Sequence, residues 1–152
     1  MDGSAERKPT RVLALGNELL GDDAFAFEVA RRLRDVETVC SSVSGFHLLD
    51  DVLGVERLIV VDTVQTGRTT VGALRIIREQ ELEFAPGTAP HGTGIFEMLE
   101  VARRLGLDAP REVIIVAVEA ADCITVGGRM HSSVRAAVEP AAALVSRLAQ
   151  GG

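Results

Sequence analysis

Residues 57–62 have the sequence RLIVVD, a run of apolar and mostly β-branched side chains that ends in an aspartate. Two similar runs flank it in the chain, RVLALG at residues 11–16 and EVIIVAV at residues 112–118. Short apolar runs of this kind, bounded by turn residues, are typical of strands buried within a sheet. The three runs therefore predict the central strands of the fold.

Two weaker patterns predict further strands, at residues 36–43 and 71–78. The second of them, VGALRIIR, contains Gly72 and flanking arginines, which are more typical of a strand at the edge of a sheet. Residues 79–92 begin with a glutamate-rich stretch and contain two prolines and two glycines, so they are predicted to form a loop.

Helical periodicity appears between the predicted strands. Within residues 22–34, Phe25, Val29 and Leu33 are spaced four apart and would share one face of a helix. Pro140 is expected to bend or split the last helix, because proline cannot donate a backbone hydrogen bond. Three further helices are predicted: a short one over residues 46–53, one that ends near residue 105, and one at the end of the chain.

Strands that alternate with helices predict an α/β fold whose sheet is mostly parallel and covered on both faces. We expect a three-layer α/β/α sandwich with a sheet of roughly five strands, including one possible antiparallel edge strand. The chain of 152 residues has the length of one domain, which is predicted to span residues 11–152. The polar residues 1–10 are predicted to form a disordered tail.

Composition argues against several classes of protein. The net charge is −6 and no basic cluster is longer than the pairs Arg31-Arg32 and Arg103-Arg104, so the sequence does not predict nucleic-acid binding. Its longest apolar run is far shorter than the ~20 residues of a membrane helix. Cys40 and Cys123 are widely separated, and the first ten residues lack the apolar segment of an export signal. These features predict a cytoplasmic protein with free thiols.

The types of residue that are missing also limit the possible chemistry. Lys8 is the only lysine, which disfavours Schiff-base chemistry, a P-loop and a phosphoacceptor receiver domain. The sequence has no G-x-G-x-x-G dinucleotide motif and no G-x-S-x-G nucleophile motif, so we expect no nucleotide cofactor. It also lacks H-E-x-x-H, which argues against a conventional zinc peptidase.

Polar residues follow the predicted strands where ligands bind in open α/β sheets, beyond the carboxyl ends of the strands. The segment GNELLGDD at residues 16–23 follows the first strand, Asp62 follows the third, and His91 precedes a helix. Two carboxylates and an imidazole could bind a divalent metal and leave coordination positions open for a substrate.

Each candidate has an ordinary structural alternative. Asp22 and Asp23 could be N-cap or first-turn residues of a helix, Asp62 could be a turn residue, and His91 could be a loop histidine. His47 and His131 are expected to be structural or surface residues. Four other acidic residues could compete as ligands: Glu18, Asp50, Asp51 and Asp122.

Three motifs resemble the nickel–iron hydrogenase maturation endopeptidases. They are LGNELLGDDAFAFEVARRL at residues 15–33, LIVVDTVQTG at residues 58–67 and APHGTGIFEML at residues 89–99. The similarity extends to SGFHLLDDV at residues 44–52, VIIVAVEA at residues 113–120 and VEPAAALV at residues 138–145. The motifs occur in the family's order and span most of the chain.

The resemblance implies an endopeptidase that removes a C-terminal extension from the large-subunit precursor of a [NiFe] hydrogenase. It implies that the nickel is contributed by that precursor and is contacted by Asp23, Asp62 and His91. It further implies that four residues support the site or bind substrate: Gly16, Asn17, Asp22 and Gly45. No separate nucleophile is expected, because the metal could polarise the scissile carbonyl or activate a water molecule. We expect the free protein to be a monomer.

The chain departs from the family pattern where Ala14, Ala26 and Ala120 replace two frequent glycines and a proline. The glycine replacements narrow the backbone freedom at those positions but leave the three implied ligands intact. Two alternatives of other classes remain. A phosphoacceptor receiver would share the acidic pair and the aspartate after the third strand but needs a lysine that is absent here. A metal-binding or precursor-binding protein without activity would share the whole pattern.

Overall fold

A computed structural model of the chain describes residues 9–43, 45–79 and 93–151. Within these ranges, five strands form one sheet with the spatial order β2-β1-β3-β5-β4. The strands are β1 (Thr10–Leu15), β2 (Glu37–Ser41), β3 (Arg57–Val64), β4 (Leu74–Arg78) and β5 (Glu112–Glu119). The predicted α/β fold is therefore confirmed, with the three strongest apolar runs in the middle of the sheet.

Short and long helices connect the strands. They are α1 (Phe25–Arg31), α2 (Leu49–Val52), α3 (Thr93–Arg104), α4 (Ser132–Ala136) and α5 (Val138–Ala149). A 3-10 turn precedes each of the first two helices, at Gly21–Ala24 and Gly45–Leu48. None of the helices in the described residues is long and apolar enough to cross a membrane.

The sheet is parallel except at one edge. β1 pairs in parallel with β2 and β3, and β3 pairs in parallel with β5, with Asp62 opposite Ala117. β4 pairs antiparallel with β5, with Ile76 opposite Val116. The predicted antiparallel edge strand is thus confirmed.

Two apolar clusters cover the two faces of the sheet, because successive side chains of a strand point to opposite faces. Ile59 and Val61 of β3 pack on one face with residues of α1, α4 and α5. Val60 and Val64 pack on the other face with residues of α2 and α3. Each fully buried valine, leucine or isoleucine contributes about 1.5–3 kcal/mol. The three-layer arrangement follows from this alternation.

Several predicted boundaries are wrong. β3 continues two residues past Asp62, to Val64. The helix predicted over residues 22–34 begins as a 3-10 turn and is α-helical only over Phe25–Arg31. The strand predicted over residues 71–78 starts at Leu74, because Gly72 lies in a turn with φ +93°. A side chain would not fit at this position, since a Cβ atom on Gly72 would lie 2.5 Å from the Ser133 carbonyl oxygen.

The last helix is split as Pro140 predicts. The break lies at Ala137, between α4 and α5, and Pro140 occupies the first turn of α5, where its missing N–H costs least. The predicted tail and loop cannot be compared in full, since residues 1–8 and 80–92 lie outside the described residues.

Candidate functional site

The turn after β1 brings Asp23 back against the end of that strand. The Asn17 N–H donates to the Asp23 carbonyl oxygen over 3.1 Å, and the Asn17 side chain accepts from the Leu19 N–H over 2.9 Å. A Cβ atom on Gly16 would lie only 2.0 Å from the Asp23 carbonyl oxygen. Gly16 is therefore required for close approach of the backbone, and together with Asn17 it sets the position of Asp23.

The carboxylate of Asp23 is buried, with 2% of the residue exposed. Its Oδ1 accepts a hydrogen bond from the Thr63 hydroxyl over 3.0 Å. Neither the 3-10 turn that contains Asp23 nor α1 has a side-chain cap hydrogen bond. Asp23 is therefore not the N-cap of either helix, but it does lie in the first turn of the 3-10 turn, as the structural alternative predicted.

Asp62 lies inside β3 and is fully buried. Its Oδ1 accepts from the backbone N–H of Thr63 over 2.7 Å. By the alternation of the strand, Asp62 shares its face with Val60 and Val64, which pack toward α2 and α3. The alternative that Asp62 is an ordinary turn residue is therefore wrong. Its carboxyl group lies on a buried face of the sheet that is otherwise apolar, and burying such a polar group costs free energy unless it is hydrogen-bonded.

Thr63 connects the two carboxylates, because its side chain contacts Asp23 and its backbone contacts Asp62. The thiol of Cys123 lies 3.4 Å from the Thr63 hydroxyl and donates to it. Burial is the main cause that raises the pKa of Cys123 to about 12, and the nearby carboxylates of Asp23, Asp22 and Asp62 raise it further. The thiol is therefore protonated at neutral pH and is a poor nucleophile.

Asp22 has a different environment from its neighbour. Its Oδ2 accepts backbone N–H groups of Ala121 (2.7 Å) and Asp122 (2.8 Å), and its Oδ1 accepts that of His131 (2.7 Å). The backbone N–H of Asp22 also donates to the Asp122 carbonyl oxygen over 2.8 Å. The buried Asp22 thus fastens the loop after β5 to the turn after β1, and it does not cap a helix.

Like Asp22, the buried carboxylate of Glu119 holds a loop in place, here the loop after β3. Glu119, at the end of β5, accepts the backbone N–H groups of Thr66 (2.8 Å) and Gly67 (3.2 Å) and a hydroxyl hydrogen bond from Thr69 (3.4 Å). Burial raises the pKa of Glu119, but the hydrogen bonds from Thr66, Gly67 and Thr69 outweigh it, so the pKa lies below its usual value.

Glu119→Gln is expected to lower the free energy of unfolding at pH 7 by about 1–2 kcal/mol, because charged hydrogen bonds are replaced by neutral ones. Since the pKa is lowered by folding, this contribution is present above about pH 4.3, the pKa of an unfolded glutamate, and is lost as the pH falls toward the folded value. Urea unfolding at pH 7 and at pH 3.5 should show a smaller difference between variant and wild type at the lower pH.

The matched control is Glu97→Gln, which changes an exposed glutamate of α3. It is expected to leave stability unchanged at both pH values. An equal loss of stability by Glu119→Gln at both pH values would contradict a contribution from the ionised carboxylate.

The remaining candidates divide into residues placed elsewhere and one that the structure does not describe. His91 lies outside the described residues, two positions before the start of α3 at Thr93. Among the described residues, no three His, Cys, Asp or Glu side chains are arranged to hold a metal ion. Gly45 begins the 3-10 turn that leads into α2. The structure therefore leaves the three-ligand metal site as a prediction.

The competing acidic residues have other surroundings. Glu18 pairs with Arg31 at the surface, Asp50 is exposed and Asp51 is half-buried. Asp122 accepts the backbone N–H groups of Ile124 and Thr125 in its own turn. The side-chain hydrogen bond from Thr125 is the main cause that lowers the pKa of Asp122, and the two backbone hydrogen bonds lower it further.

The two other histidines agree with the expectation of structural or surface positions. His131 accepts from the Ser133 N–H and caps α4, and His47 is exposed.

Two polar residues near the carboxylates, Thr63 and Cys123, were not predicted from the sequence. Thr63 follows Asp62 in a run that has the composition of an ordinary strand, and Cys123 lies in a loop 60 positions further along the chain. The polar threonine within the buried run VVDTV was the only available signal.

Comparison with known proteins supports one family. The sequence model of a family described as hydrogenase maturation protease matches residues 29–148. The match begins after Asp23 and overlaps only the last five residues of the motif at residues 15–33. Asp62 and His91 lie within the matched range.

The relatives carry related descriptions. A hydrogenase expression/formation protein, HupM of Azotobacter chroococcum, is 30% identical over 143 residues, which cover 88% of this chain and 68% of the relative. The hydrogenase 2 maturation protease of Escherichia coli is 28% identical over 116 residues, which cover 70% of each chain.

Solved structures show the same architecture. The hydrogenase maturating endopeptidase HybD of E. coli superimposes with a TM-score of 0.80 and 27% identity, covering 95% of this chain and 94% of that one. The [NiFe] hydrogenase maturation protease HybD of Thermococcus kodakarensis has the same fold, with a TM-score of 0.77, 24% identity and coverage of 93% and 99%.

Proposed function

Because the chain belongs to the hydrogenase maturation protease family, we propose that it cleaves the C-terminal extension from a [NiFe]-hydrogenase large-subunit precursor that already carries nickel. Membership of the family makes the chain a hydrolase of the endopeptidase type. The proposal adds three points to family membership: the substrate is a large-subunit precursor, the cleaved bond lies before its C-terminal extension, and cleavage requires that nickel is already bound. The free protein is proposed to act in the cytoplasm as a monomer.

The observation that carries the proposal is the pair of buried carboxylates near the carboxyl ends of the central strands. Asp23 is held there by the turn at Gly16, and Asp62 lies in the neighbouring strand β3. Thr63 makes a hydrogen bond to each of them. Ligands of open α/β folds bind at this edge of the sheet, and a large-subunit precursor would approach the protein there.

The chemistry of these residues suits a metal that another protein mainly holds. Asp23 and Asp62 supply carboxylate oxygens, and His91 supplies an imidazole nitrogen, while coordination positions remain for the precursor's own ligands. The precursor's nickel would supply a Lewis acid at the scissile carbonyl or an activated water. The contribution of the chain is to recognise the loaded precursor and to orient it, and no nucleophile of the chain is needed because the metal would activate the carbonyl or the water.

Deletion of the gene in the source organism is expected to leave a hydrogenase large subunit with its C-terminal extension. Intact mass spectrometry of the purified large subunits, with and without the gene, measures this directly. The retained mass identifies the substrate and the cleaved bond. Re-expression of the wild-type chain should restore the mature mass.

Two other outcomes would contradict parts of the proposal. If every large subunit reaches its mature mass in the deletion strain, the chain is not required for cleavage. If the purified chain binds the loaded precursor but leaves its mass unchanged in vitro, the chain is a precursor-binding protein without peptidase activity.

A further inference from the structure

Thr63 is the residue that links the two proposed nickel-binding carboxylates. Its backbone N–H donates to Oδ1 of Asp62 over 2.7 Å, and its hydroxyl donates to Oδ1 of Asp23 over 3.0 Å. Thr63 is fully buried, and Asp23 and Asp62 are at most 2% exposed. The contacts are therefore shielded from water. Hydrogen bonds in the protein interior are electrostatically stronger than hydrogen bonds in water.

The direction of the hydroxyl hydrogen bond is fixed by a third contact. The Cys123 thiol donates to the Thr63 hydroxyl over 3.4 Å. A threonine hydroxyl has one proton to donate and lone pairs that accept. With the thiol donating into the oxygen, the hydroxyl proton points to Asp23, so Cys123, Thr63 and Asp23 form a directed chain of donors that ends on the carboxylate.

The position of Thr63 in β3 favours a role for its hydroxyl beyond packing. The neighbouring residues Val60, Val61 and Val64 are all buried valines. Valine has nearly the shape of threonine and would fill the same space without a polar atom. Burying a hydroxyl is unfavourable unless it is hydrogen-bonded, and here the bond ends on Asp23.

We propose that Thr63 is a positioning residue that fixes the orientation of the Asp23 carboxylate toward the nickel of the precursor. The inference rests on the proposed function, since it assigns Asp23 the task of contacting that nickel. Residues that orient metal ligands through hydrogen bonds typically change metal affinity or activity about 10–100-fold when they are replaced. Thr63 acts through Asp23 and touches no reacting atom.

Three variants test this role. Thr63→Val removes the hydroxyl and keeps the backbone N–H that bonds Asp62. Thr63→Ser keeps the hydroxyl and removes only a methyl group. Thr38→Val makes the same chemical change in β2, where the hydroxyl bonds the Val36 carbonyl oxygen, and serves as the matched control. Urea unfolding of each variant verifies that it is folded.

The decisive measurement is the ratio of affinities for the nickel-loaded and the nickel-free large-subunit precursor. A structural defect would weaken the binding of both precursors alike, whereas a misplaced Asp23 weakens only the nickel-dependent part. Thr63→Val is expected to lower the wild-type ratio, and the cleavage rate of the loaded precursor, by about 10–100-fold. Thr63→Ser and Thr38→Val are expected to retain both.

The two hypotheses fail in different ways. Equal ratios and cleavage rates for wild type and Thr63→Val would overturn the positioning role while the proposed function stands. The same loss in Thr63→Ser as in Thr63→Val would also overturn it, because the effect would not follow the hydroxyl. A wild-type protein that does not distinguish the two precursors would overturn nickel recognition and, with it, the role given to Thr63.

Discussion

Asp62→Asn is expected to reduce cleavage of the nickel-loaded precursor by more than about 100-fold, because residues that merely orient ligands already account for about 10–100-fold. Asparagine preserves the shape of the side chain, and its Oδ1 can still accept the Thr63 N–H that Asp62 accepts now. The second carboxylate oxygen is replaced by an NH2 group, which cannot bind nickel. Intact mass of the precursor, followed over time with purified protein, measures the rate.

Stability should not explain the loss. Asp62 is fully buried and asparagine has nearly the same volume, so we expect the free energy of unfolding to change by only about 1 kcal/mol, as is typical of point substitutions. Asp50→Asn, which makes the same change at an exposed position of α2, is expected to cleave like wild type. Cleavage by Asp62→Asn at the wild-type rate would remove Asp62 from the site.

Most of the sheet could be predicted from the sequence because local patterns determine it. The apolar runs that became β1, β3 and β5 must be buried on both faces, and such runs are recognisable without knowledge of their partners. The edge position of β4 was predicted from the arginines of residues 71–78 and from Gly72, which lies in the turn before the strand. Strand ends were less predictable, since β3 continues through the polar pair Asp62–Thr63, and pairing with β5 rather than residue type decides where it stops.

The roles within the acidic pair could not be predicted from the sequence. Asp22 and Asp23 have the same side chain and adjacent positions, and both are buried. They differ in their partners, which for Asp22 lie 99 to 109 positions away in the loop after β5. The contact between Asp23 and Thr63 likewise joins residues 40 positions apart. A pattern of spacing along the chain contains no information about such contacts before the sheet is assembled.

Asp22→Ala is expected to lower the free energy of unfolding by about 3–5 kcal/mol. This is the typical cost of removing one partner from a buried network that contains a charged group. The substitution leaves the backbone N–H groups of Ala121, Asp122 and His131 without the acceptor that they share. Whole domains are stable by only about 5–15 kcal/mol, so the loss is a large part of the total. Urea unfolding gives its size, and hydrogen exchange at these three amides shows where it arises.

Asp23→Ala is the matched control, since it removes the same side chain from the next, equally buried position. The Thr63 hydroxyl that donates to Asp23 can rotate to another acceptor, whereas the backbone donors to Asp22 are fixed by the loop. Asp23→Ala is therefore expected to lose less stability than Asp22→Ala and to keep the protection of the loop amides, but to lose cleavage of the precursor. Equal losses of stability by the two variants would mean that the acidic pair acts as one structural unit. The proposal that Asp22 holds the loop after β5 while Asp23 contacts nickel would then be wrong.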